Sequence, residues 1–188
     1  LDNIYYHEVK SIEFEIQKSD NTNSYKFIRN VEVINWMLQY LWIKSAGALS
    51  KEQKTGYFFS DVRNLFYYTA LEIYSKDTHT KLGFVVFSVS KYNDKITLKL
   101  LDHEIKIHNK TQILLGLVTK YASEIQADKL EISSDVAQQL ISSKIINPIL
   151  LQKRERRYLY YMSDMSSKLA LAIKNVNPDY CDGDMPFY

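Results

Sequence analysis

The sequence lacks the features that several protein classes require. Its one cysteine, Cys181, excludes an internal disulfide framework and a zinc site built on cysteines. No apolar run approaches the roughly 20 residues of a membrane-spanning helix, and no secretory signal pattern opens the chain. The formal net charge of +2 is too small to indicate binding to nucleic acid or to an anionic membrane. We therefore expect a cytoplasmic protein with neither a nucleic-acid partner nor a membrane partner.

The sequence does contain enough apolar and aromatic material for one core. Hydrophobic residues make up 46% of the 188 positions and aromatic residues 13%. This length and composition predict a single domain over residues 1–188. We divide it into an N-terminal strand, helix and loop (1–56), a core (57–163) and a C-terminal cap (164–188). Because the chain begins at Leu1 without a methionine, we expect it to be part of a longer protein.

The most informative stretch is residues 95–126, which read KITLKLLDHEI, KIHNKT and QILLGLVTKYASEIQ. Apolar residues alternate with polar ones over Ile96–Leu100, which predicts a half-buried strand. From Ile113 the apolar spacing becomes that of an amphipathic helix. Asn109 is the predicted N-cap of this helix, with Gln112 completing a capping box. A strand that leads into a helix N-terminus favours anionic ligands, because free backbone N–H groups and the helix dipole both attract negative charge.

The other elements follow from the same two periodicities. The patterns predict helices over residues 31–44, 135–145 and 167–176, and strands over residues 11–17, 65–74, 81–90, 129–133 and 157–162. Short polar turns join the strands at 65–74, 81–90 and 95–102, which predicts an antiparallel meander. A meander followed by a β-α-β-α-β half predicts an α/β fold with a mixed central sheet and helices on both faces.

This order, with the longest helix directly after the third meander strand, resembles the GNAT acetyltransferase fold over about residues 57–163. The segments NVEVINWMLQYLW, GYFFS, LKLLD and DGDMPF are similar to a bacterial GNAT-like group. The resemblance implies an acyl-CoA-dependent N-acyltransferase that transfers an acetyl or other acyl group to a small-molecule amine. It also implies that acetyl-CoA or another acyl-CoA binds the turn before the long helix, at Ile107, His108, Asn109, Lys110 and Thr111.

Two segments depart from the family pattern. The family carries R/Q-x-x-G-x-G/A in this turn, where glycine lets backbone N–H groups approach the pyrophosphate closely. The turn here, KIHNKTQILLG, has no glycine before Gly116. The later family signature, a tyrosine followed by Gly-Phe, is absent from QLISSKIINPIL. A second function therefore stays open: a non-catalytic GNAT-like domain that binds a substrate or partner, working with an N-terminal companion domain or as a homodimer.

Within the resemblance, Asp102 and Glu104 at the end of the third meander strand are candidate bases for deprotonating the acceptor amine. Tyr160 on the last predicted strand is the candidate acid for the leaving thiolate, a role that the family often gives to a tyrosine. The same residues are also typical of a strand end paired with lysines and of aromatic side chains packed on a sheet. The three aspartates over residues 179–184 are too few for a calcium loop, so we expect no metal.

Overall fold

The computed structural model describes residues 3–14, 30–40, 65–107 and 109–144, and it shows a mixed α/β fold built on a five-stranded sheet. The strands are β1 (Ile4–Val9), β2 (Leu65–Ser75), β3 (Lys81–Tyr92), β4 (Lys95–Ile105) and β5 (Lys129–Glu131). The helices are α1 (Val31–Gln39), α2 (Lys110–Glu124) and α3 (Ser134–Ser142). In the ranges that the structure describes, no helix is long and apolar enough to cross a membrane.

The sheet has the order β1-β2-β3-β4-β5, antiparallel from β1 to β4 and parallel between β4 and β5. The predicted meander is confirmed, and each of its strands runs one to three residues past the predicted end. The strand predicted over residues 129–133 and the helix predicted over residues 135–145 are also confirmed, with ends that differ by a few residues. The strand predicted over residues 157–162 and the helix predicted over 167–176 lie outside the described residues.

The first strand was predicted in the wrong place. The sheet strand is Ile4–Val9, which pairs with β2, and residues 11–14 form no strand. Instead, Asn35 of α1 brackets Ile12: the Ile12 N–H donates to Asn35 Oδ1 at 2.6 Å, and Asn35 Nδ2 donates to the Ile12 carbonyl at 2.9 Å. Ile12 and Phe14 alternate with polar residues because both side chains pack against the sheet face, although their segment forms no strand hydrogen bonds.

Two apolar cores lie on opposite faces of the sheet, so helices cover both faces as predicted. The larger core packs the sheet against α2 and α3, and the smaller one packs it against α1. Asn30 caps α1 by accepting the Val33 N–H at 3.0 Å, which confirms the predicted start of this helix. The helix ends at Gln39, earlier than predicted, because Tyr40 has an extended backbone. We call the two sides of the sheet the α1 face and the α2 face.

Candidate functional site

The end of β4 is irregular, and this irregularity defines the candidate site. Val86 pairs with Asp102 and Phe87 with Leu100, so Leu101 is an extra residue in β4 and forms a β-bulge. The parallel ladder with β5 covers only Thr97–Lys99 of β4. It therefore ends just before the bulge, and β4 continues to Ile105 without a described partner on that side. In α/β sheets, ligands bind outside the carboxyl ends of parallel strands where neighbouring strands part.

Both candidate carboxylates lie on one face of the sheet, because they are two residues apart on β4 after the bulge. Asp102 pairs with Val86 and Glu104 with Phe84, and both partners belong to the core under α1. Because paired residues share a face, the two acidic side chains lie on the α1 face. His103 between them pairs with Val85 and lies on the α2 face. Asp102 and Glu104 therefore lie on the same face of β4.

Close contacts orient these side chains. Asp102 Oδ1 accepts the N–H of His103 at 2.8 Å, and Glu104 lies 4.0 Å from the ammonium of Lys106. The Lys106 ammonium lies 4.4 Å from the centre of the Phe14 ring, within range of a cation–π contact. Lys106 therefore turns towards the α1 face rather than between β4 and β5. Ile107, the next residue, is 37% exposed.

The turn into α2 differs from the predicted capping box. Asn109 has a left-handed backbone (φ 64°, ψ 26°), and its side chain makes no capping hydrogen bond. Its carbonyl accepts the N–H groups of Gln112 at 3.0 Å and Ile113 at 3.1 Å. Asparagine is the side chain that best tolerates this conformation after glycine, so Asn109 gives the turn a shape usually associated with glycine.

The first two amides of α2 are the donors of the candidate anion site. Within the described part of the chain, the N–H groups of Lys110 and Thr111 donate to no protein acceptor. The Lys110 side chain is exposed beside them. Backbone donors and a cation at a helix N-terminus are the groups that bind phosphate oxygens. Two other predicted site residues, His108 in this turn and Tyr160 on the last predicted strand, lie outside the described residues.

A buried ion pair that the sequence analysis missed marks the point where the β4–β5 ladder ends. Lys99 is 4% exposed, and its ammonium lies 3.4 Å from Glu131, which also contacts Lys129. Burial opposes ionisation of Glu131, but the two lysines outweigh this effect and lower its pKa. Lys99 occupies a polar position of the alternating strand pattern, so the sequence indicated solvent exposure. A lysine opposite a glutamate on a neighbouring strand was the only available signal.

A second buried charge fixes the segment that borders the site. Glu72 of β2 accepts the Glu13 N–H at 2.8 Å, the Lys81 ammonium at 2.8 Å and the Tyr74 hydroxyl at 2.7 Å. Lys81 also donates to the Glu13 carbonyl at 2.7 Å. Burial raises the pKa of Glu72, but these hydrogen bonds more than compensate and hold it below its usual value. The network pins residue 13 to the sheet and so positions Phe14 beside Lys106.

A small apolar cavity lies on the α2 face of the sheet, where β4 and β5 stop pairing. It has a volume of about 10 Å³. Its lining is aliphatic and comes from β4, α2, the end of β5 and α3: Leu100, Leu114, Leu115, Val118, Leu130, Ile132, Val136 and Leu140.

In the described ranges, no three histidine, cysteine, aspartate or glutamate side chains group as metal ligands would. The three aspartates over residues 179–184 lie outside those ranges.

Comparisons with known proteins give a partial structural likeness. No protein-family model matches the chain, and no curated protein matches it significantly. Among solved structures, the chain is similar to a crystal structure described as that of a probable acetyltransferase. The two share 20% sequence identity with a TM-score of 0.37, over 52% of this chain and 70% of the other.

Proposed function

We propose that this chain is an acyl-CoA-dependent N-acyltransferase that transfers an acyl group to a small-molecule amine. The observation that carries the proposal is the arrangement at the end of β4. There the parallel ladder with β5 stops, a bulge at Leu101 follows, and two carboxylates share one face. The first amides of α2 lie a short turn further along the chain. An acceptor base and an anion-binding turn are thus carried by consecutive elements.

The residues of the turn fit the phosphate end of the coenzyme. The amides of Lys110 and Thr111 would hold a pyrophosphate oxygen, and the Lys110 ammonium would add a charge-assisted contact. The left-handed backbone at Asn109 gives the turn a conformation usually associated with glycine. When bound, the coenzyme would supply an activated acyl group as a thioester. Ile107 and His108 complete the proposed binding turn.

The carboxylates supply the base in this proposal. Asp102 or Glu104 would take a proton from the acceptor ammonium, directly or through one water, so that the neutral amine can attack. Both side chains are partly exposed on the α1 face, where a small amine can reach them. Tyr160 keeps its proposed role as the acid for the leaving thiolate. Most of the rate gain would come from holding the amine against the acyl carbon.

A non-catalytic GNAT-like domain that binds a substrate or partner is the second candidate function. The observation that favours it is again at the turn, where Asn109 carries a side chain and no glycine precedes Gly116. A Cβ atom at this position limits how closely a pyrophosphate can approach the backbone. In this case Asp102 and Glu104 would bind a ligand without chemistry.

Calorimetric titration of the folded chain with acetyl-CoA and with coenzyme A tests the proposal. We expect a dissociation constant of order micromolar, about −8 kcal/mol, and a loss of at least about tenfold in Lys110→Glu, which removes a phosphate contact. Lys95→Glu is the matched control, because Lys95 is exposed at the opposite end of β4. No binding of either ligand by the folded chain would overturn the acyltransferase proposal and leave the second candidate.

If the coenzyme binds, an amine screen that detects released thiol follows. Asp102→Asn and Glu104→Gln each keep the shape of the side chain and remove the base. We expect at least one of them to lower kcat by about 100-fold or more while coenzyme affinity stays unchanged. Full activity in both variants would exclude the two carboxylates as the catalytic base.

A further inference from the structure

We propose that the outer edge of β1 is an interface at which two copies of this chain pair, joining their sheets into one continuous sheet. β1 stands at the end of the strand order, so among the described strands it is hydrogen-bonded on one side only, to β2. An edge strand presents a row of backbone donors and acceptors with which another strand can pair. The proposed occupant is the β1 strand of a second copy, antiparallel to the first across a two-fold axis.

The backbone groups of β1 point alternately towards β2 and towards the open edge. The Lys76 N–H donates to the Asn3 carbonyl at 2.9 Å, so the backbone groups of Asn3 face β2. The pairing of β1 with β2 has no bulge, so the groups of every second residue after Asn3 also face β2. The N–H and C=O groups of the residues between them, Ile4, Tyr6 and Glu8, therefore face the open edge.

β1 carries none of the features that commonly block an edge strand. Natural edge strands are protected by lysine, by proline, by a β-bulge or by being very short. The sequence of β1, IYYHEV, contains neither lysine nor proline, and its register with β2 is unbroken. β5, at the opposite end of the described sheet, has only three residues. Of these two edges, β1 is therefore the one that is suited to pairing with another strand.

The spacing of the outward-facing groups makes β1 complementary to itself. With the two-fold axis at Tyr6, this residue lies opposite its own counterpart, and Ile4 of each copy lies opposite Glu8 of the other. Residues that face each other in this way exchange both backbone hydrogen bonds, so every outward group of the three residues gains a partner. A shift of the register by two residues leaves one of the three without a partner in the strand. The backbone therefore favours the register centred on Tyr6.

This register also brings aromatic side chains together on the α1 face. Tyr5 and His7 lie on that face, since His7 pairs with Glu72, which pairs in turn with Phe84 of the core under α1. The Tyr5 ring stacks on Tyr74 with 5.3 Å between centres, and the His7 ring meets it edge-on at 5.2 Å. Across the axis, Tyr5 of each copy would lie opposite His7 of the other. Aromatic pairs at such positions stabilise neighbouring strands.

The charges near the axis fit a second copy. The Lys120 ammonium lies 4.8 Å from the centre of the Tyr6 ring, and Glu124 accepts the Tyr6 hydroxyl at 2.8 Å. Each copy thus brings one cation and one anion to the axis, so the net charge there gives no repulsion. Within the strand pair, Glu8 lies opposite the uncharged Ile4, and no two like charges face each other. The edge therefore matches its own copy in charge as well as in backbone groups.

Analytical ultracentrifugation of the chain over about 1 to 200 μM tests for the dimer. We expect a dissociation constant of order 10 μM, because a single strand pair makes an interface smaller than the standard size. Tyr6→Pro removes the outward N–H at the axis from both copies, and an edge strand tolerates proline when that N–H faces solvent. We expect it to weaken the dimer by at least about tenfold. Tyr6→Phe keeps the N–H and is the matched control, which should dimerise as the original chain does.

Disulfide cross-linking measures the register directly and does not depend on the proline variant. In a Cys181→Ser background, Tyr6→Cys places two cysteines opposite each other, with Cα atoms about 5.5 Å apart, a distance that a disulfide spans. Glu8→Cys is the control, because the same register separates its two cysteines by about 14 Å along the strands. On mild oxidation we expect a covalent dimer from Tyr6→Cys and none from Glu8→Cys. Thermal unfolding verifies that both variants fold.

The other outcomes reject the proposal in distinguishable ways. A dimer that cross-links through Glu8→Cys, or through neither variant, would be formed by another register or another surface. A chain that stays monomeric up to about 200 μM would leave the edge of β1 to a strand of a different protein. Neither result bears on the acyltransferase proposal, which concerns the end of β4 and the turn into α2.

Discussion

Gly83 on β3 lies directly against the backbone of Glu104 on β4. A Cβ atom at position 83 would overlap the Glu104 carbonyl oxygen and lie 2.8 Å from the Cα atom of Ile105. The neighbours in the way are backbone atoms, which cannot move aside as a flexible side chain can. The position of the candidate base Glu104 therefore depends on the absence of a side chain on the neighbouring strand.

Gly83→Ala should lower the free energy of unfolding by about 1–3 kcal/mol, because the added methyl group forces the two strands apart. Urea denaturation followed by circular dichroism measures this change. Ser90→Ala, on the same strand and away from the close approach, is the control and should stay within about 0.5 kcal/mol of the original chain. An unchanged midpoint in Gly83→Ala would show that β3 and β4 are further apart than described.

The Glu72 network should make stability depend on pH in the acidic range. Because the pKa of Glu72 in the folded chain lies below its ordinary value of 4.5, its contribution is fully present above that value. It is lost as the pH falls through the lower folded pKa. We expect Glu72→Gln to be less stable at neutral pH and to show a shallower loss of stability below about pH 4.5. Parallel acid-side slopes for the two proteins would contradict this assignment.

Tyr6 should make stability depend on pH in the alkaline range. Stability is lost there as the pH rises, whereas the contribution of Glu72 is lost as the pH falls. Burial, helped by the hydrogen bond to Glu124 and by its negative charge, raises the pKa of Tyr6 to about 12 from 10.0. The stabilisation is thus present below pH 10 and is lost as the pH rises towards 12. Tyr6→Phe should reduce this alkaline loss, measured as the change in urea midpoint between pH 9 and about 11. Tyr5→Phe on the same strand is the control.

The left-handed turn at Asn109 gives a prediction that separates backbone shape from side chain. Asn109→Gly should leave stability within about 0.5 kcal/mol, since glycine adopts this conformation freely. Asn109→Val should cost about 1–2 kcal/mol, because a β-branched residue is strained there. Thermal denaturation compares the two. Equal cost for both would mean that the Asn109 side chain, and not its backbone, stabilises the turn.

The meander was predictable because its signals are local. Strands β2, β3 and β4 each carry a run of β-branched and aromatic residues, and short polar turns separate them. The first strand was not predictable in the same way. IYYHEV has no clear alternation, whereas Ile12 and Phe14 alternate although they form no ladder. Burial under α1, a contact distant in sequence, gives those two residues their pattern.

The residues of the candidate site were chosen from the sequence, but the backbone geometry around them was not predictable. The sequence marked Asp102, Glu104 and the turn at Asn109, and the structure places both carboxylates on one face. No sequence pattern indicated the bulge at Leu101, because an extra residue does not visibly change an apolar run such as LKLLD. The capping box failed because the S/T/N-x-x-E/Q pattern specifies residue types and not the backbone conformation of the first one.

The pairing of β1 with β2 also bears on the order in which the chain folds. The strands of the meander are separated by turns of a few residues, whereas β1 and β2 pair across the intervening residues 10–64. Closing so long a loop costs chain entropy before any contact compensates for it. The meander can thus form first, and β1, Ile12 and α1 dock afterwards. The α1 face, which carries both candidate carboxylates, is then completed late in folding, on a sheet already formed.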